Sequence, residues 1–227
     1  MVKIREFKDY EVYSMLRVPR NIPYVVRCDG RNFHSLTEEL KLEKPYDRKF
    51  MEIFVNAVKR LFTLDPKPII GYLFSDEVSL LFLNRGEFGC RVEKIVSLVA
   101  ASISSSFTIE IIRNYNYEKP VIFDARIIPL VIEDFIDYLA WRQSLCWRNF
   151  LNSYAQAILA NEGKSSREIQ KMLHGLKGRQ LLELIEEKIP LNNIPLWQRR
   201  GILVYSTRKP YKAVSYTHLT LPTTERV

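Results

Sequence analysis

The sequence predicts an α+β fold, in which a ferredoxin-like unit with the element order βαββαβ is followed by a C-terminal helical extension and a short terminal strand pair. Three observations support this prediction. Four apolar runs are rich in β-branched and aromatic residues and end in polar turns, as strands do. Two longer segments repeat their apolar residues at helical spacing, and the six segments alternate in the order that the unit requires. With 227 residues, 47% of them apolar, the chain is long enough to bury a core.

The four strands bring two acidic segments together. The first strand, over 22–28, ends at Asp29, and the runs PIIGYLF and VSLLFL form the arms of a hairpin whose turn contains Asp76. The fourth strand is PVIFDARI. In this unit the third strand lies beside the first and runs antiparallel to it, so the end of strand one and the hairpin turn share one edge of the sheet. Asp29 and Asp76 are therefore expected to be neighbours.

Two amphipathic helices complete the unit. The first follows Asp47, which is placed to cap it, and the second follows Arg91. Beyond the unit we expect a helix over about 131–160, a break at NEGKSS, and one or two shorter helices to about residue 187. Weak strands are expected around GILVYS and YKAV.

These elements divide the chain into three parts. Residues 1–130 form the core unit that would carry catalysis, and residues 131–214 form the helical extension with the terminal strands. The segment SYTHLTLPTTERV, over 215–227, has no apolar periodicity and resembles translated sequencing adapter. We expect this tail to be non-native or disordered and exclude it from the fold.

Composition narrows the class of protein. The net charge is +8 and the sequence pI about 9.3, with basic residues spread through the predicted elements, which favours a polyanionic partner. Three widely spaced cysteines indicate neither a disulfide framework nor a zinc site and fit a reducing cytoplasm. No apolar run is seen to reach the ~18 residues of a membrane span, and MVKIREFKDYEVYS is too charged for a signal peptide. We therefore expect a cytoplasmic protein without a membrane partner.

The acidic pair predicts a magnesium site. Two carboxylates at one sheet edge repel each other unless a cation lies between them, and oxygen ligands without nearby histidine or cysteine clusters suit Mg²⁺. The carbonyl of Gly30 can approach the ion, while Arg31, Asn32 and His34 offer hydrogen-bond donors to phosphate oxygens. The alternative is that Asp29 and Asp76 are ordinary turn residues.

Other catalytic templates do not fit the sequence. The segment Gly163-Lys164-Ser165 lacks the glycine that a P-loop needs, because Ile158 occupies that position. The chain also contains no H-E-x-x-H, no G-x-S-x-G and no Rossmann glycine triplet.

Five ordered motifs resemble those of the tRNA-histidine guanylyltransferase superfamily. They are RCDGRNFHSL, KPYD, SDEVSLLF, FDARI and YLAWRQ, and the resemblance runs from the N-terminus to about residue 206. It implies a polymerase-like palm and an enzyme that adds nucleotides to RNA in the 3′-to-5′ direction. It also implies activation of an RNA 5′-monophosphate by ATP or GTP, attack by the 3′-hydroxyl of an incoming nucleoside triphosphate, two Mg²⁺ ions and a homotetramer that binds tRNA.

The resemblance also assigns roles to single residues. It implies metal ligation by Asp29, Asp76 and the backbone oxygen of Gly30, and a catalytic role for Glu77. The positions that match those around the nucleotide and its triphosphate are Arg31, Asn32, Phe33, His34, Lys44, Asp47, Ser75 and, for the activation step, Lys94. For Lys94 the alternative is a solvated helix residue.

One departure from the family pattern bears on the substrate. After W-R-Q the eukaryotic guanylyltransferases carry D-C-H-I-N-N, whereas this chain has LCWRNF, which resembles the bacterial and archaeal guanylyltransferase-like proteins that repair truncated tRNA 5′-ends. The expected RNA contacts are Arg126, Arg142, Trp147, Arg148, Asn149, Arg199 and Arg200, with Lys177 or Arg179 as further candidates. The alternative for Trp147 is a position in the core, and the alternative for Arg199 and Arg200 is a solvated turn.

Three functions follow from these observations. The leading hypothesis is a Mg²⁺-dependent 3′-to-5′ nucleotidyltransferase that repairs tRNA 5′-ends against a template. The second is a tRNA-histidine guanylyltransferase that adds a single 5′ guanylate. The third is a palm protein that binds RNA 5′-ends without catalysis, against which the intact D-G and S-D-E motifs argue.

Overall fold

The chain folds around one antiparallel sheet of six strands with helices on both faces. The computed structural model describes residues 7–206 and the backbone of residues 213–216. The strands, in chain order, are β1 (Tyr24–Gly30), β2 (Ile70–Phe74), β3 (Glu77–Phe82), β4 (Phe123–Pro129), β5 (Ile202–Ser206) and β6 (Ala213–Tyr216). Their order in the sheet is β4-β1-β3-β2-β5-β6. The first four strands therefore have the arrangement of the predicted ferredoxin-like unit.

The helices are α1 (Phe33–Glu39), α2 (Arg48–Leu61), α3 (Val92–Tyr115), α4 (Phe135–Asn161), α5 (Ser166–Leu173), α6 (Gly178–Glu186) and α7 (Leu196–Arg200). Asp47 caps α2 as predicted, because its Oδ1 accepts a hydrogen bond of 2.9 Å from the amide of Phe50. The helices α1 and α7 were not predicted from the sequence.

The C-terminal strands extend the core sheet. β5 pairs with β2 and β6 pairs with β5, so both continue the sheet that begins in the N-terminal half. β6 also extends to Tyr216 and so includes the first two residues of the predicted tail, which begins at residue 215. The remainder of that tail, residues 217–227, lies outside the described residues.

One face of the sheet packs on α2 and α3. Tyr24, Val26 and Cys28 alternate along β1 on this face and are fully buried. The rings of Phe54 and Phe107 pack edge to face at 5.3 Å between their centroids and join α2 to α3. This cluster supports the end of β1 from the sheet face that packs on α2 and α3.

The other face of the sheet packs on α4. Val25 and Leu81 contribute to this second cluster from the strands, and Phe135, Tyr138 and Leu139 contribute from the helix. Residues of β1 alternate between the two faces, so Arg27 belongs to the same face as Val25. The C-terminal half of α4 forms a third cluster with α6 and Ile194.

The helix α3 has the length and apolar character of a membrane-crossing helix, with a mean hydropathy of 1.8 over 18 residues. The prediction that no segment of this kind occurs is therefore wrong by length and composition. Core helices of water-soluble proteins meet the same criterion, and Ile95, Val99, Ile103 and Phe107 of α3 are buried in the cluster on the sheet. Packing against the sheet thus accounts for the apolar side of α3.

Candidate functional site

Two carboxylates meet where β1 ends beside the turn between β2 and β3. The amide of Gly30 donates a hydrogen bond of 3.0 Å to the carbonyl of Asp76, which joins the end of β1 to the turn. Ser75 has a φ of +52°, and its Oγ donates to Oδ1 of Asp76 at 2.9 Å. The predicted proximity of Asp29 and Asp76 is confirmed, because β1 pairs with β3 up to Asp29 opposite Glu77 and Gly30 then bonds to the turn.

The electrostatics of this pair favour a bound cation. Burial raises the pKa of the Asp76 carboxyl, the hydrogen bond from Ser75 opposes that rise, and the charge of Asp29 adds to it. A raised carboxyl pKa means that the ionised form is destabilised in its surroundings. A positive ion beside Asp29 and Asp76 would relieve both the burial cost and the repulsion.

Glu77, opposite Asp29 in the β1–β3 register, interacts with two arginines. Its carboxylate accepts a hydrogen bond from Nη2 of Arg142 on α4, and its Oε2 lies 3.8 Å from Nε of Arg27. Burial raises the pKa of Glu77, while Arg142 and then Arg27 oppose that rise. Glu77 is 6% exposed. Its position therefore suits an interior anchor of the site more than direct contact with a substrate.

The prediction that Arg142 contacts RNA requires correction. Only 6% of its side chain is exposed, and its guanidinium is bonded to Glu77 inside the protein. Arg27 was not predicted as a site residue, and its side chain is 16% exposed and lies on the same face of the strand as Asp29. An arginine between two apolar residues of a buried strand was the signal that could have identified it.

Gly30 is required by the aromatic packing beneath the site. A Cβ atom at this position would lie 2.7 Å from Cζ of Phe33 and still closer to two other carbons of that ring. The Phe33 ring is itself 6% exposed and packs edge to face on Phe123 at 5.2 Å. The prediction that Phe33 lies beside the nucleotide is corrected for its side chain, which belongs to the core.

Replacing Gly30 with alanine is expected to destabilise the protein by about 1–3 kcal/mol, because the Phe33 ring must move within a packed cluster. Urea unfolding measures this change, and the loss should be smaller when Phe33 is leucine. Gly178→Ala is the matched control, since its Cβ would meet Leu151 at an ordinary 3.4 Å. Equal effects of the two alanine substitutions would contradict the packing explanation.

The remaining residues predicted to contact the nucleotide lie in two segments near the carboxylates. Arg31, Asn32 and His34 follow β1 directly and are exposed. Tyr46, Ser75 and Trp197 line one small cavity, which brings the loop that carries Lys44 beside the acidic turn.

Asp47 lies at the end of that loop and is engaged through both carboxylate oxygens. Its Oδ1 accepts from the amide of Phe50 at 2.9 Å and its Oδ2 from the amide of Glu43 at 3.2 Å. These bonds give Asp47 a structural role in fixing the start of α2.

Lys94 lies at the opposite end of the sheet from the carboxylates. It belongs to the first turn of α3, where the amide of Val92 donates to the carbonyl of Leu16 at 3.1 Å, in the segment that leads into β1. Asp29 and the turn that carries Asp76 lie at the other end of β1, whose seven residues span about 20 Å. The structure therefore does not bring Lys94 to Asp29 or Asp76 of its own chain.

The candidate RNA contacts occupy two regions. Arg126 on β4 lies opposite Arg27 in the sheet register and has 61% of its side chain exposed. Trp147 on α4 packs on Phe150 at 5.1 Å between centroids, and the guanidinium of Arg200 lies 5.6 Å from its ring. Burial, followed by the charge of Arg200, lowers the pKa of the neighbouring Arg199.

The next two candidates along α4, Arg148 and Asn149, are exposed. Trp147 is half-buried and contributes to the third cluster, so its alternative role in packing is supported. Lys177 and Arg179, at the start of α6, are also exposed, and Nε of Arg179 lies 3.0 Å from Oε1 of Glu183.

The donor set at the carboxylates fits a hard divalent cation. Among the described residues, no three histidine, cysteine, aspartate or glutamate side chains are grouped to hold a metal ion. Since Glu77 is bonded to Arg142, the available side-chain oxygens are those of Asp29, Asp76 and the exposed Asp124, which lies opposite Asp29 in the β1–β4 register, together with backbone oxygens. Mg²⁺ is commonly held by one or two carboxylates while water and substrate phosphates complete its shell. The site therefore fits Mg²⁺ that binds together with a phosphorylated substrate.

Comparisons with known proteins identify the family of this chain. A family model described as Thg1: tRNAHis guanylyltransferase matches residues 4–131. The probable tRNA(His) guanylyltransferase of Bos taurus is 30% identical over 189 residues, covering 79% of this chain and 63% of the relative. The tRNA(His) guanylyltransferase 2 of Arabidopsis thaliana is 26% identical over 98% of this chain and 42% of the relative. The chain thus spans less than two thirds of the length of these relatives.

A solved structure described as a bacterial tRNA(HIS) guanylyltransferase (Thg1)-like protein in complex with ATP has the same fold. It superposes with a TM-score of 0.82 and 26% identity, over 95% of this chain and 92% of the other. The similarity extends well beyond the segment matched by the family model and includes the helical extension.

Proposed function

The chain belongs to the tRNAHis guanylyltransferase family, and from that premise we propose that it is a Mg²⁺-dependent nucleotidyltransferase that adds nucleotides to RNA 5′-ends in the 3′-to-5′ direction. The observation that carries this proposal is the meeting of Asp29 and Asp76 at the junction of β1 with the β2–β3 turn. A partly buried carboxylate whose pKa is raised, with a second carboxylate beside it, is costly to the fold and is typical of a functional site.

Different residues of the site would bind the metal ions and the phosphates in such a reaction. Asp29, Asp76 and the backbone oxygen of Gly30 would hold two Mg²⁺ ions, which when bound supply charge neutralisation for the triphosphate and the attacking 3′-hydroxyl. Arg31 and Asn32 are exposed beside them and would donate hydrogen bonds to phosphate oxygens. ATP or GTP would activate the RNA end, in line with the ATP bound to the similar bacterial protein.

In the addition step, the 3′-oxygen of the incoming nucleotide would form a bond to the RNA 5′-phosphorus. The bond between that phosphorus and the activating nucleotide would break at the same time. Catalysis of such a transfer depends on positioning and on charge stabilisation more than on covalent chemistry by the protein. Two carboxylates where β1 meets the β2–β3 turn, joined by the hydrogen bond from the Gly30 amide to the Asp76 carbonyl, supply a rigid frame for it.

Template-dependent repair of tRNA 5′-ends is the substrate reaction that we favour. The segment LCWRNF replaces the motif of the eukaryotic guanylyltransferases, and the chain is similar over nearly its whole length to the bacterial guanylyltransferase-like protein. Cys146, which the segment shares with that motif, is 3% exposed, so its retention is explained by packing. Addition of a single guanylate to histidine tRNA is the second candidate, and the names of the curated relatives favour it.

A nucleotide-addition assay separates these reactions. The full chain is given a 5′-monophosphorylated tRNA that lacks its first nucleotide, with ATP, Mg²⁺, each of four labelled nucleoside triphosphates in turn, and every templating base opposite the gap. For repair, the added nucleotide should follow the templating base in tRNAs of several specificities. Guanylate alone, or activity on histidine tRNA alone, would support the maturation reaction, and binding without addition would indicate a non-catalytic protein.

We also propose a homotetramer located in the cytoplasm. Several apolar side chains of the N-terminal segment are exposed in the single chain, including Phe7, Tyr10, Tyr13 and Met15, and further copies of the chain would cover them. The three cysteines are free and buried, which suits a reducing compartment. Light scattering on the purified chain measures the oligomeric state.

A further inference from the structure

Trp141 presents a large aromatic surface to solvent although it lies in the second turn of a core helix, α4. It is 51% exposed, in contrast to its neighbours on α4, Arg142 and Gln143, which are 5% and 4% exposed. The packing of α4 on the sheet therefore does not account for a tryptophan at this position.

The exposed ring is held in place by groups that connect it to the carboxylate site. Tyr138 packs edge to face on the indole at 5.8 Å between centroids, and its hydroxyl is hydrogen bonded to Oγ of Ser79 at 2.8 Å. The guanidinium carbon of Arg142 lies 4.6 Å from the indole ring, while the same guanidinium is bonded to Glu77. Trp141 is thus linked through one side chain to the residue paired with Asp29.

The geometry of α4 directs Trp141 toward the open side of the sheet. Nε2 of Gln143 donates to the carbonyl of Arg200 at 3.4 Å, so this side of the helix faces β5 and α7. Each residue turns an α-helix by 100°, so Trp141 and Gln143 leave the axis about 200° apart. Trp141 therefore lies on the flank toward β1 and β4, where Arg126 and Asp29 share the same sheet face.

We propose that Trp141 is the stacking platform for a nucleobase beside the catalytic carboxylates, and this proposal rests on the proposed nucleotidyltransferase function. Aromatic side chains bind bases of any sequence through their π-faces, which suits an enzyme that must accept whichever nucleotide its template requires. A platform fixed by Tyr138 and Arg142 is already ordered before the base arrives, so little conformational freedom is lost on binding.

The charge around the platform favours a nucleic-acid occupant over a second copy of the chain. Arg126 lies on the edge strand of this face with 61% of its side chain exposed, opposite Arg27 on β1. Each arginine has one carboxylate nearby, Glu77 at 3.8 Å from Nε of Arg27 and Asp124 at 4.0 Å from Nε of Arg126. The exposed guanidinium of Arg126 still has donors directed at solvent, which suit a phosphate oxygen. The stacked base belongs to either the RNA 5′-end or the incoming nucleoside triphosphate, and the experiment distinguishes these sources.

The test combines Trp141→Ala with a substrate that lacks the base. KM and kcat are measured on a 5′-monophosphorylated tRNA with an intact or abasic 5′-terminal nucleotide, and KM is measured separately for the nucleoside triphosphate. Removing one stacked base costs about 5- to 150-fold in binding. If the base belongs to the RNA, the KM of wild type should rise by this factor when the RNA is abasic. Trp141→Ala should already show the raised KM with intact RNA and no further rise with abasic RNA. For the nucleotide source, the loss should instead fall on KM for the triphosphate.

Two variants control the interpretation. Trp141→Phe keeps an aromatic face and should retain most of the affinity, and Ile136→Ala removes a 52% exposed apolar side chain elsewhere on α4 and should change neither KM. If Trp141→Ala leaves both KM values unchanged, the platform is overturned. The same conclusion follows if the variant loses only its oligomeric state, or if wild type and variant respond equally to the abasic substrate.

A binding measurement separates failure of this proposal from failure of the proposed function. Quenching of tryptophan fluorescence by intact and abasic RNA is compared between wild type and Trp141→Phe, without any nucleotide addition. One outcome is that no nucleotide is added, yet intact RNA quenches the fluorescence of wild type more strongly than abasic RNA does, and Trp141→Phe shows no such difference. In that case Trp141 is the platform for an RNA base, and the catalytic proposal fails. If neither added nucleotide nor RNA produces quenching that depends on Trp141, the platform is overturned directly.

Discussion

Replacing Asp76 with asparagine is expected to abolish nucleotide addition while making the metal-free protein more stable. The activity should fall at least about 10³-fold, because a ligand of the charge-stabilising metal site is removed. The stability should rise by on the order of 1 kcal/mol, or about 2–4 °C in Tm for a chain of this size, because a buried and repelled carboxylate becomes neutral. Opposite signs for activity and stability are the signature of a functional site.

The pH dependence of this effect has a definite sign. Since the folded-state pKa of Asp76 is raised, its ionisation destabilises the fold as pH rises through that folded pKa. The advantage of Asp76→Asn should therefore be present at neutral pH and should disappear at low pH, where the wild-type carboxyl is protonated. Thermal unfolding of both proteins across pH, without divalent metal, measures it.

Added Mg²⁺ with a nucleoside triphosphate provides the complementary measurement. It should raise the Tm of the wild type and have a much smaller effect on Asp76→Asn, because a bound ligand stabilises only the state that binds it. Asp137→Asn, an exposed carboxylate on α4, is the matched control and should retain both activity and metal response. Full activity in Asp76→Asn would remove Asp76 from the metal site.

Replacing Arg142 with methionine is expected to have the largest effect on stability. The substitution leaves Glu77 as a buried carboxylate whose remaining cation, Nε of Arg27, lies at 3.8 Å. Removing one partner of a buried ion pair costs about 3–5 kcal/mol. Urea unfolding at neutral pH should show this loss, and nucleotide addition should fall because Glu77 is paired with Asp29 across the β1–β3 ladder.

The loss of stability should depend on pH and on Glu77. Without Arg142 the folded-state pKa of Glu77 rises further, so the deficit should be greatest above that pKa and should shrink as pH falls toward it. The double variant Glu77→Leu with Arg142→Met should recover most of the stability, because replacing both charges by apolar groups avoids the unpaired carboxylate. A double variant as unstable as Arg142→Met alone would show that the pair is not the cause.

The sequence predicted the central architecture because its signals there are local. Apolar runs rich in β-branched and aromatic residues marked the strands, and Asp47 marked the start of α2. The element order alone made Asp29 and Asp76 neighbours across β1 and the hairpin turn. The short helices α1 and α7 escaped prediction, since seven and five residues contain too few turns for a periodic pattern.

Other features depend on contacts between distant parts of the chain and could not be predicted from local pattern. Arg142 was assigned to RNA because it is basic, and only the packing of α4 on the sheet directs it to Glu77. Lys94 was grouped with the site by resemblance, yet α3 begins at the far end of the sheet. The exposure of Trp141 likewise follows from how α4 lies on the sheet, since the sequence of that helix is apolar on several sides.

The most direct test of the central claim is the position of the nucleotide that the protein adds. Wild type and Asp76→Asn are incubated with a 5′-monophosphorylated tRNA that lacks its first nucleotide, ATP, Mg²⁺ and nucleoside triphosphates labelled at the α-phosphate, and the labelled end is identified by digestion from each terminus. Our account predicts label at the 5′-terminus with wild type and none with a folded Asp76→Asn. Label at the 3′-terminus, or equal 5′-labelling by the two proteins, would contradict it.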